Sequence, residues 1–281
     1  MMRFRAFSIV AVFIMVTIVL LPVQWFAVKF SLPLRRSLPY RYHRFVCGLF
    51  GVRVSTIGKP VAGGVLMAAN HSGWLDIPIL SAAWPVSFVA KSEVYGWPFF
   101  GTLARMQRSV FVRRERAQTV ANREMIRRRL LEGDALVIFP EGTSSDGNRV
   151  LRFKSALLSA AEVKLDHNRS VPVQPVSIAY TALHGIPMGR ENRPLFAWYG
   201  DMELVPHLWE ALKTGPIDVV VEFHPAIRLD ELHDRKALAQ RCETAVRAGV
   251  VRALQGKPDN RRPHDVSSPG NPIARRAEEA A

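Results

Sequence analysis

The stretch Asn70-His71-Ser72-Gly73-Trp74-Leu75-Asp76 places a histidine and an aspartate five residues apart, directly after the apolar run 64–69. An imidazole with one nitrogen held by a carboxylate keeps its other nitrogen available to take a proton, which is general-base chemistry. On a continuous helix, residues five apart point about 140° away from each other at 3.6 residues per turn. The pair therefore needs a break in the backbone between its members. Gly73 permits one, and Pro78 suits the first turn of a helix that begins just before it. The spacing predicts His71 on a strand-to-helix loop and Asp76 at the helix start. The plainer reading has Asp76 capping that helix and His71 satisfied at a strand end.

Two further groups of residues carry chemistry. The segment 139–147, Phe-Pro-Glu-Gly-Thr-Ser-Ser-Asp-Gly, contains Gly142 and Gly147 for sharp turns and Thr143, Ser144 and Ser145 as hydroxyl donors. Such a turn can present N–H groups to an anion, and Glu141 adds a carboxylate able to bind a substrate hydroxyl. An ordinary polar turn has the same composition. Lys91 follows the run 86–90, and Arg113 and Arg114 close the run 109–114. Ligands gather at the carboxyl ends of strands in α/β sheets, where basic residues can bind phosphate. Arg116, Arg123, Arg127, Arg128 and Arg129 read as a solvated face. The chain has no Gly-x-Ser-x-Gly elbow for an acyl-serine route. It has no His-Glu-x-x-His and no paired cysteines, so no metal and no cofactor are expected.

The elements that must position these residues are legible as short apolar runs alternating with longer helical stretches. Strands are predicted at 64–69, 86–90, 109–112, 135–139, 171–178, 195–200 and 217–223. Helices are predicted at 115–132, 153–163 and 229–254, with apolar residues recurring among charged ones. The alternation points to an α/β fold, a mixed β-sheet flanked by helices. Residues 31–60 read as a basic, helical connection.

The chain has 281 residues, 48% of them hydrophobic, and a formal net charge of +14. That composition excludes a disordered chain and calls for an anionic partner, either nucleic acid or an acidic membrane surface. The N-terminus decides between them. From Ala6 to Val28 no residue is charged, and about 20 apolar residues suffice to cross the hydrocarbon core. Lys29, Arg35, Arg36, Arg41 and Arg44 come next, with Trp25, Phe26, Tyr40 and Tyr42 nearby, as at a headgroup region. This basic flank outweighs Arg3 and Arg5 and places the residues beyond about position 30 on the cytoplasmic side. Pro22 and Gln24 leave two forms open, a span and a helix that dips into one leaflet. No groove-entering element is seen, so nucleic acid is not expected as a partner. Cys47 and Cys242 fit a reducing compartment. Three regions result: an N-terminal membrane-embedded anchor and basic flank at 1–44, a catalytic domain at 45–256, and a disordered tail at 257–281 without apolar periodicity.

Taken in order, these motifs resemble the glycerolipid acyltransferase family typified by 1-acylglycerol-3-phosphate acyltransferases, over roughly residues 45–225. Residues 70–76 resemble the family's first block, which implies His71 as general base and Asp76 as its partner. Residues 89–101 are similar to the segment after it, with Lys91 at the basic position. Residues 109–114 resemble the second block and put Arg114 on the acceptor-binding arginine. Residues 139–145 resemble the third, with Glu141 and Gly142 at substrate-binding positions. Residues 171–178 are similar to the fourth, with Pro172 and Pro175. The chain departs from the pattern twice. Arg113 stands where an acidic residue often precedes the arginine, and Ser144 stands where an arginine often follows the threonine. Residues 139–150 also resemble the bacterial branch that acylates lyso-ornithine lipid, an acceptor without phosphate.

The resemblance implies O-acyl transfer from acyl-CoA or acyl-carrier protein, as co-substrate, to the free hydroxyl of a lysolipid. The first expectation is 1-acylglycerol-3-phosphate as acceptor, giving phosphatidate; the alternative is lyso-ornithine lipid. Arg113, Arg114, Lys91, Glu141, Gly142, Thr143 and Pro172 are the expected substrate-binding residues. Partners are then membrane lipid, the lysolipid and the acyl carrier, and the location is the cytoplasmic membrane with the catalytic domain inside. A non-catalytic, membrane-anchored lipid-binding protein would explain the charge and the apolar run, but not His71–Asp76 or the 139–145 segment.

Overall fold

The computed structural model describes residues 2–112, 119–165, 169–232, 234–256 and 264–265. Two helices come first, α1 (Met2–Lys29) and α2 (Leu34–Phe50). An alternating series succeeds them: β1 (Val52–Gly58), β2 (Val65–Ala69), α3 (Asp76–Ala83), β3 (Ser87–Lys91), α4 (Phe100–Met106), β4 (Val110–Val112), α5 (Thr119–Leu131) and β5 (Ala135–Ile138). The chain continues with β6 (Pro172–Leu183), β7 (Ile186–Pro187), α6 (Leu204–Thr214), β8 (Ile217–Phe223), β9 (Ile227–Arg228), α7 (Arg235–Leu254) and β10 (His264–Asp265).

The strands form one mixed sheet in the order β10-β1-β8-β6-β2-β5-β3-β4, with β7 and β9 beside β6. From β6 to β4 every neighbouring pair is parallel, while β8 runs antiparallel to β6. Strands covered on both faces read as continuous apolar runs. In β2, Val65, Met67 and Ala69 join the core beneath α2 and α3, whereas Leu66 and Ala68 join the core beneath α5 and α7. This division reflects the alternation of side chains across a strand.

Most predicted strands are present, but the structure departs from the expectations at several places. The run 195–200 is no strand: Arg193–Leu195 form a single 3₁₀ turn, and Phe196 and Ala197 turn into the core from irregular backbone. The stretch 31–60 is helical only to Phe50, and β1 then pairs in parallel with β8. The boundary expected between 44 and 45 falls inside α2. The segment 153–163 is a 3₁₀ helix at Ser155–Glu162. Arg129, expected in solvent, is buried and ion-pairs with Asp134 at 2.5 Å. Of the tail expected to be disordered, His264–Asp265 pair with β1; its other residues, like Arg116, lie outside the described ones.

α1 is long and apolar enough to cross a membrane, yet it is fastened to the α/β body along its length. Arg5 donates to the Leu212 carbonyl at 2.7 Å. The Thr17 and Tyr42 hydroxyls meet at 2.6 Å. Gln24 donates to the Met106 carbonyl at 2.7 Å. Arg5 and Gln24 are separated by about 29 Å of helix at 1.5 Å per residue. The opposite face presents Phe4, Phe7, Ile14, Met15, Ile18, Val19, Trp25 and Phe26 outward.

Candidate active site

Because β2, β5, β3 and β4 run parallel, their carboxyl ends emerge along one edge of the sheet. His71 follows β2, Lys91 ends β3 and Glu141 follows β5. Lys91 is exposed and pairs in register with Val112, the last residue of β4. Arg113 and Arg114 come next in sequence and lie outside the described residues. Pro172 is not brought to this edge. It opens β6, which is parallel to β2, and so sits buried at the opposite, amino-terminal edge.

The loop between β2 and α3 is held in place before any substrate arrives. The Asn70 side chain donates to the Ile178 carbonyl at 2.9 Å and accepts from the Ile178 amide at 2.8 Å. It thereby extends the ladder one step beyond β2. Asp76 opens α3 and is fully buried. Four donors converge on its carboxylate: His71 Nδ1 at 2.8 Å, the Ser72 amide at 2.6 Å, the Gly73 amide at 3.0 Å and the Tyr180 hydroxyl at 2.7 Å. Burial, and then the neighbouring Asp76, push the Tyr180 phenol well above its usual range, so it remains a donor. Asp76 binds the imidazole and the amides of the loop before its helix rather than capping the helix itself, whose N-cap is Leu75 with no side-chain cap bond.

The His71 ring lies flat on Phe139, with centroids 4.0 Å apart. Its side chain keeps 21% of its surface exposed, and Nε2 has no hydrogen-bond partner among the described residues. Gly73 is needed for a reason other than an unusual turn. A Cβ there would stand 2.7 Å from the Trp198 amide nitrogen, so the 198 segment can approach only a glycine. That approach closes the bond from Trp198 N to the Ser72 carbonyl at 2.8 Å.

The 139–148 turn is stitched to the same loop. The Ser145 amide donates to the His71 carbonyl at 2.8 Å, and the Ser144 hydroxyl donates to the Trp198 carbonyl at 2.5 Å. Gly142 has φ 74°, a conformation that residues with side chains rarely adopt. Thr143 is exposed. Glu141 is buried, with both carboxylate oxygens unpartnered. Burial pushes its pKa up to about 8; Asp76 adds to the rise, while the Leu151 and His71 amides lower it without closing hydrogen bonds. The structure thus brings together His71, Asp76, Glu141, Gly142 and the 143–145 hydroxyls, with Lys91 along the same edge. Sequence reasoning missed Tyr180, Asn70 and Trp198, whose roles depend on tertiary register.

This chain is 48% identical over 257 residues to the lyso-ornithine lipid O-acyltransferase of Brucella abortus, covering 90% of this chain and 96% of that protein. The chain belongs to the acyltransferase family. Residues 52–179 match the family described as Acyltransferase. The 1-acyl-sn-glycerol-3-phosphate acyltransferase of Neisseria gonorrhoeae is 33% identical over 202 residues, covering 69% of this chain and 74% of that protein. The crystal structure of the 1-acyl-sn-glycerophosphate (LPA) acyltransferase, PlsC, from Thermotoga maritima matches with a TM-score of 0.63 and 23% identity. The match covers 92% of this chain and 100% of that one, and it shows the same fold. As an acyltransferase of lysolipids, this chain carries its family match on β1 to β6 and its helical anchor, α6 and α7 outside it.

Proposed function

We propose that this acyltransferase transfers a fatty acyl group from an acyl thioester, carried by CoA or acyl-carrier protein, to the hydroxyl of lyso-ornithine lipid. The chemistry rests on the 2.8 Å bond between His71 Nδ1 and Asp76 Oδ2. With its Nδ1 proton directed at Asp76, His71 presents an unprotonated Nε2 to the acceptor. Nε2 removes the hydroxyl proton as the oxygen attacks the thioester carbon. The C–S bond then breaks, and the imidazolium returns the proton to the departing thiolate. The thioester is already activated, so no enzyme nucleophile is required. Positioned general-base catalysis contributes about 10²–10⁴-fold, and preorganised donors at the oxyanion add a comparable factor. The Thr143 and Ser144 amides, between the engaged amides of Gly142 and Ser145, are the candidates for that role. Lys91 stands at the strand edge that also carries His71; Arg113 and Arg114, which follow β4 in sequence, are assigned with it to binding the acceptor.

The choice of acceptor rests on two observations. The Brucella abortus relative with that name is 48% identical across nearly its full length. Ser144 stands where an arginine would serve a phosphate, and its hydroxyl is committed to the Trp198 carbonyl. Lyso-ornithine lipid is therefore preferred over 1-acylglycerol-3-phosphate, the acceptor first expected.

The fastening of α1 from Arg5 to Gln24 supports a helix lying in the cytoplasmic leaflet of the inner membrane. A perpendicular span would draw α2, α4 and α6 into the bilayer with it. The outward Phe4, Phe7, Ile18, Trp25 and Phe26 suit immersion, and the site meets its lipid at the interface.

An acceptor panel tests the proposal. Purified enzyme is supplied with labelled acyl-carrier protein or acyl-CoA and either lyso-ornithine lipid or 1-acylglycerol-3-phosphate. Turnover of lyso-ornithine lipid at the higher kcat/KM is expected; a preference for the phosphate acceptor would overturn the choice.

A further inference from the structure

The turn after Glu141 is held from outside the family-matched span by an arginine that lacks a carboxylate partner. Arg193 is 8% exposed. Its guanidinium donates to Asn148 Oδ1 at 2.8 Å and to the Met188 carbonyl at 3.0 Å, both neutral oxygens. Its Nε is buried without a partner, and among the described residues no carboxylate lies within ion-pair distance. Of five guanidinium N–H groups, two are engaged in these bonds. The nearest acid, Asp146, spends its oxygens on the Asn148 amide and side chain at 3.0 and 3.4 Å. Arg190 brings a second positive charge to the same turn: its carbonyl accepts from Asn148 Nδ2 at 3.1 Å. Burial first, and then the Arg190 charge, lower the Arg193 pKa, and the Asp146 charge offsets only part of this. A buried cation held only by neutral groups is costly unless an anion completes it.

The position of this cation matters as much as its incompleteness. Gly147 packs against Arg193, whose Cβ would lie 3.5 Å from a Cβ at that glycine. The same turn donates from Ser144 to Trp198 and from Ser145 to His71. Position 144 carries no charge here, whereas the 190–193 segment brings Arg190 and Arg193 to the same turn through Asn148.

We infer that Arg193, with Arg190 beside it, is the specificity element that receives the carboxylate of an amino-acid headgroup on the acceptor. This inference rests on the lyso-ornithine reading above and deepens it. A guanidinium offers a fork of N–H groups matched to a planar carboxylate.

The test compares lyso-ornithine lipid with its carboxyl methyl ester on the wild-type enzyme, so that no variant has to fold. The ester is expected to show a KM about 10–100-fold higher, as suits loss of a charge-assisted hydrogen bond, with kcat little changed. In Arg193→Gln the free acid should fall to the level of the ester, and Arg193→Lys should restore part of the difference. Equal KM for acid and ester on the wild type would overturn the role of Arg193 while leaving the acceptor reading intact. So would an Arg193→Gln enzyme that still discriminates, or one that loses turnover of both acceptors equally, as a merely structural arginine would. Failure of the wild type to acylate lyso-ornithine lipid at all would overturn both.

Discussion

Among the described residues, two histidines lie within ion-pair distance of a carboxylate, and their surroundings differ. His71 stands at the edge where the parallel strands end. Its Nδ1 is bound to Asp76, its ring rests on Phe139, and 21% of its side chain is exposed. His224 follows β8 beneath α7. Its Nε2 meets the Ser177 hydroxyl at 2.7 Å and its Nδ1 lies 3.5 Å from Glu222. Ser, His and Glu in that arrangement have the composition of a hydrolytic triad. The surroundings decide otherwise. Ser177 donates onward to the Val246 carbonyl at 2.9 Å, and Glu222 is paired with Arg252 at 2.7 Å. A Cβ on Gly249 would stand 2.3 Å from the Ser177 hydroxyl, so α7 leaves no room for a substrate. On the proposed mechanism, the same residue types serve as a reactive site where a loop opens at a strand end, and as a structural pin where a helix closes over the sheet.

This contrast can be broken most severely at the carboxylates. Asp76→Asn should lower turnover by about 10²–10⁴-fold, the range of a positioned base, because the amide no longer fixes the imidazole tautomer. Glu222→Gln should leave turnover per folded molecule unchanged. Thioester cleavage by the two purified variants decides it, and equal losses would erase the distinction.

The hydroxyls give a smaller effect. Tyr180→Phe removes one of four donors to Asp76 and should cost about tenfold in kcat, with about 1 kcal/mol of stability. Ser177→Ala should cost about 1–3 kcal/mol, because a buried ring nitrogen loses its partner, with kcat unchanged. Thermal unfolding in detergent, alongside kcat, separates the two outcomes.

The remaining effect concerns Glu141 and appears only with pH. Its folded pKa, about 8, lies above the ordinary 4.5. A raised acid favours the folded state fully below its unfolded value, and that contribution is lost as pH rises through 8. Glu141→Gln does not titrate there, so it should gain stability relative to wild type between pH 4.5 and 8 and hold level beyond. A difference in thermal midpoint that stays constant across that window would refute the raised pKa.

Features that depend on neighbouring residues alone were legible in the sequence, and those that depend on distant pairing were not. The central strands could be read because burial on both faces leaves continuous apolar runs, as in Val65–Ala69. β1 could not, because Arg53 and Ser55 interrupt its apolar residues and the preceding basic helix sets the tone of the stretch. Residues 195–200 imitate a strand because Phe196 and Ala197 must reach the core, while the backbone of Trp198 turns to meet Ser72. In the site, His71 and Asp76 were readable because one loop contains both. Tyr180 lies 104 residues beyond Asp76, and only the pairing of β6 with β2 brings it there. Pro172 was misplaced for the converse reason: it belongs to the right strand but to its far end. Arg193 sits past the family-matched residues, where no motif marks it.

The claim that His71 is the working base is tested most directly by His71→Ala and His224→Ala, purified side by side. Free thiol released from the acyl donor is measured in the presence of the lipid acceptor, with thermal unfolding as the control for folding. The expected result is a folded His71→Ala enzyme with turnover lost by about 10²–10⁴-fold, against a destabilised His224→Ala enzyme whose folded fraction turns over normally. Near-normal turnover in folded His71→Ala would contradict it.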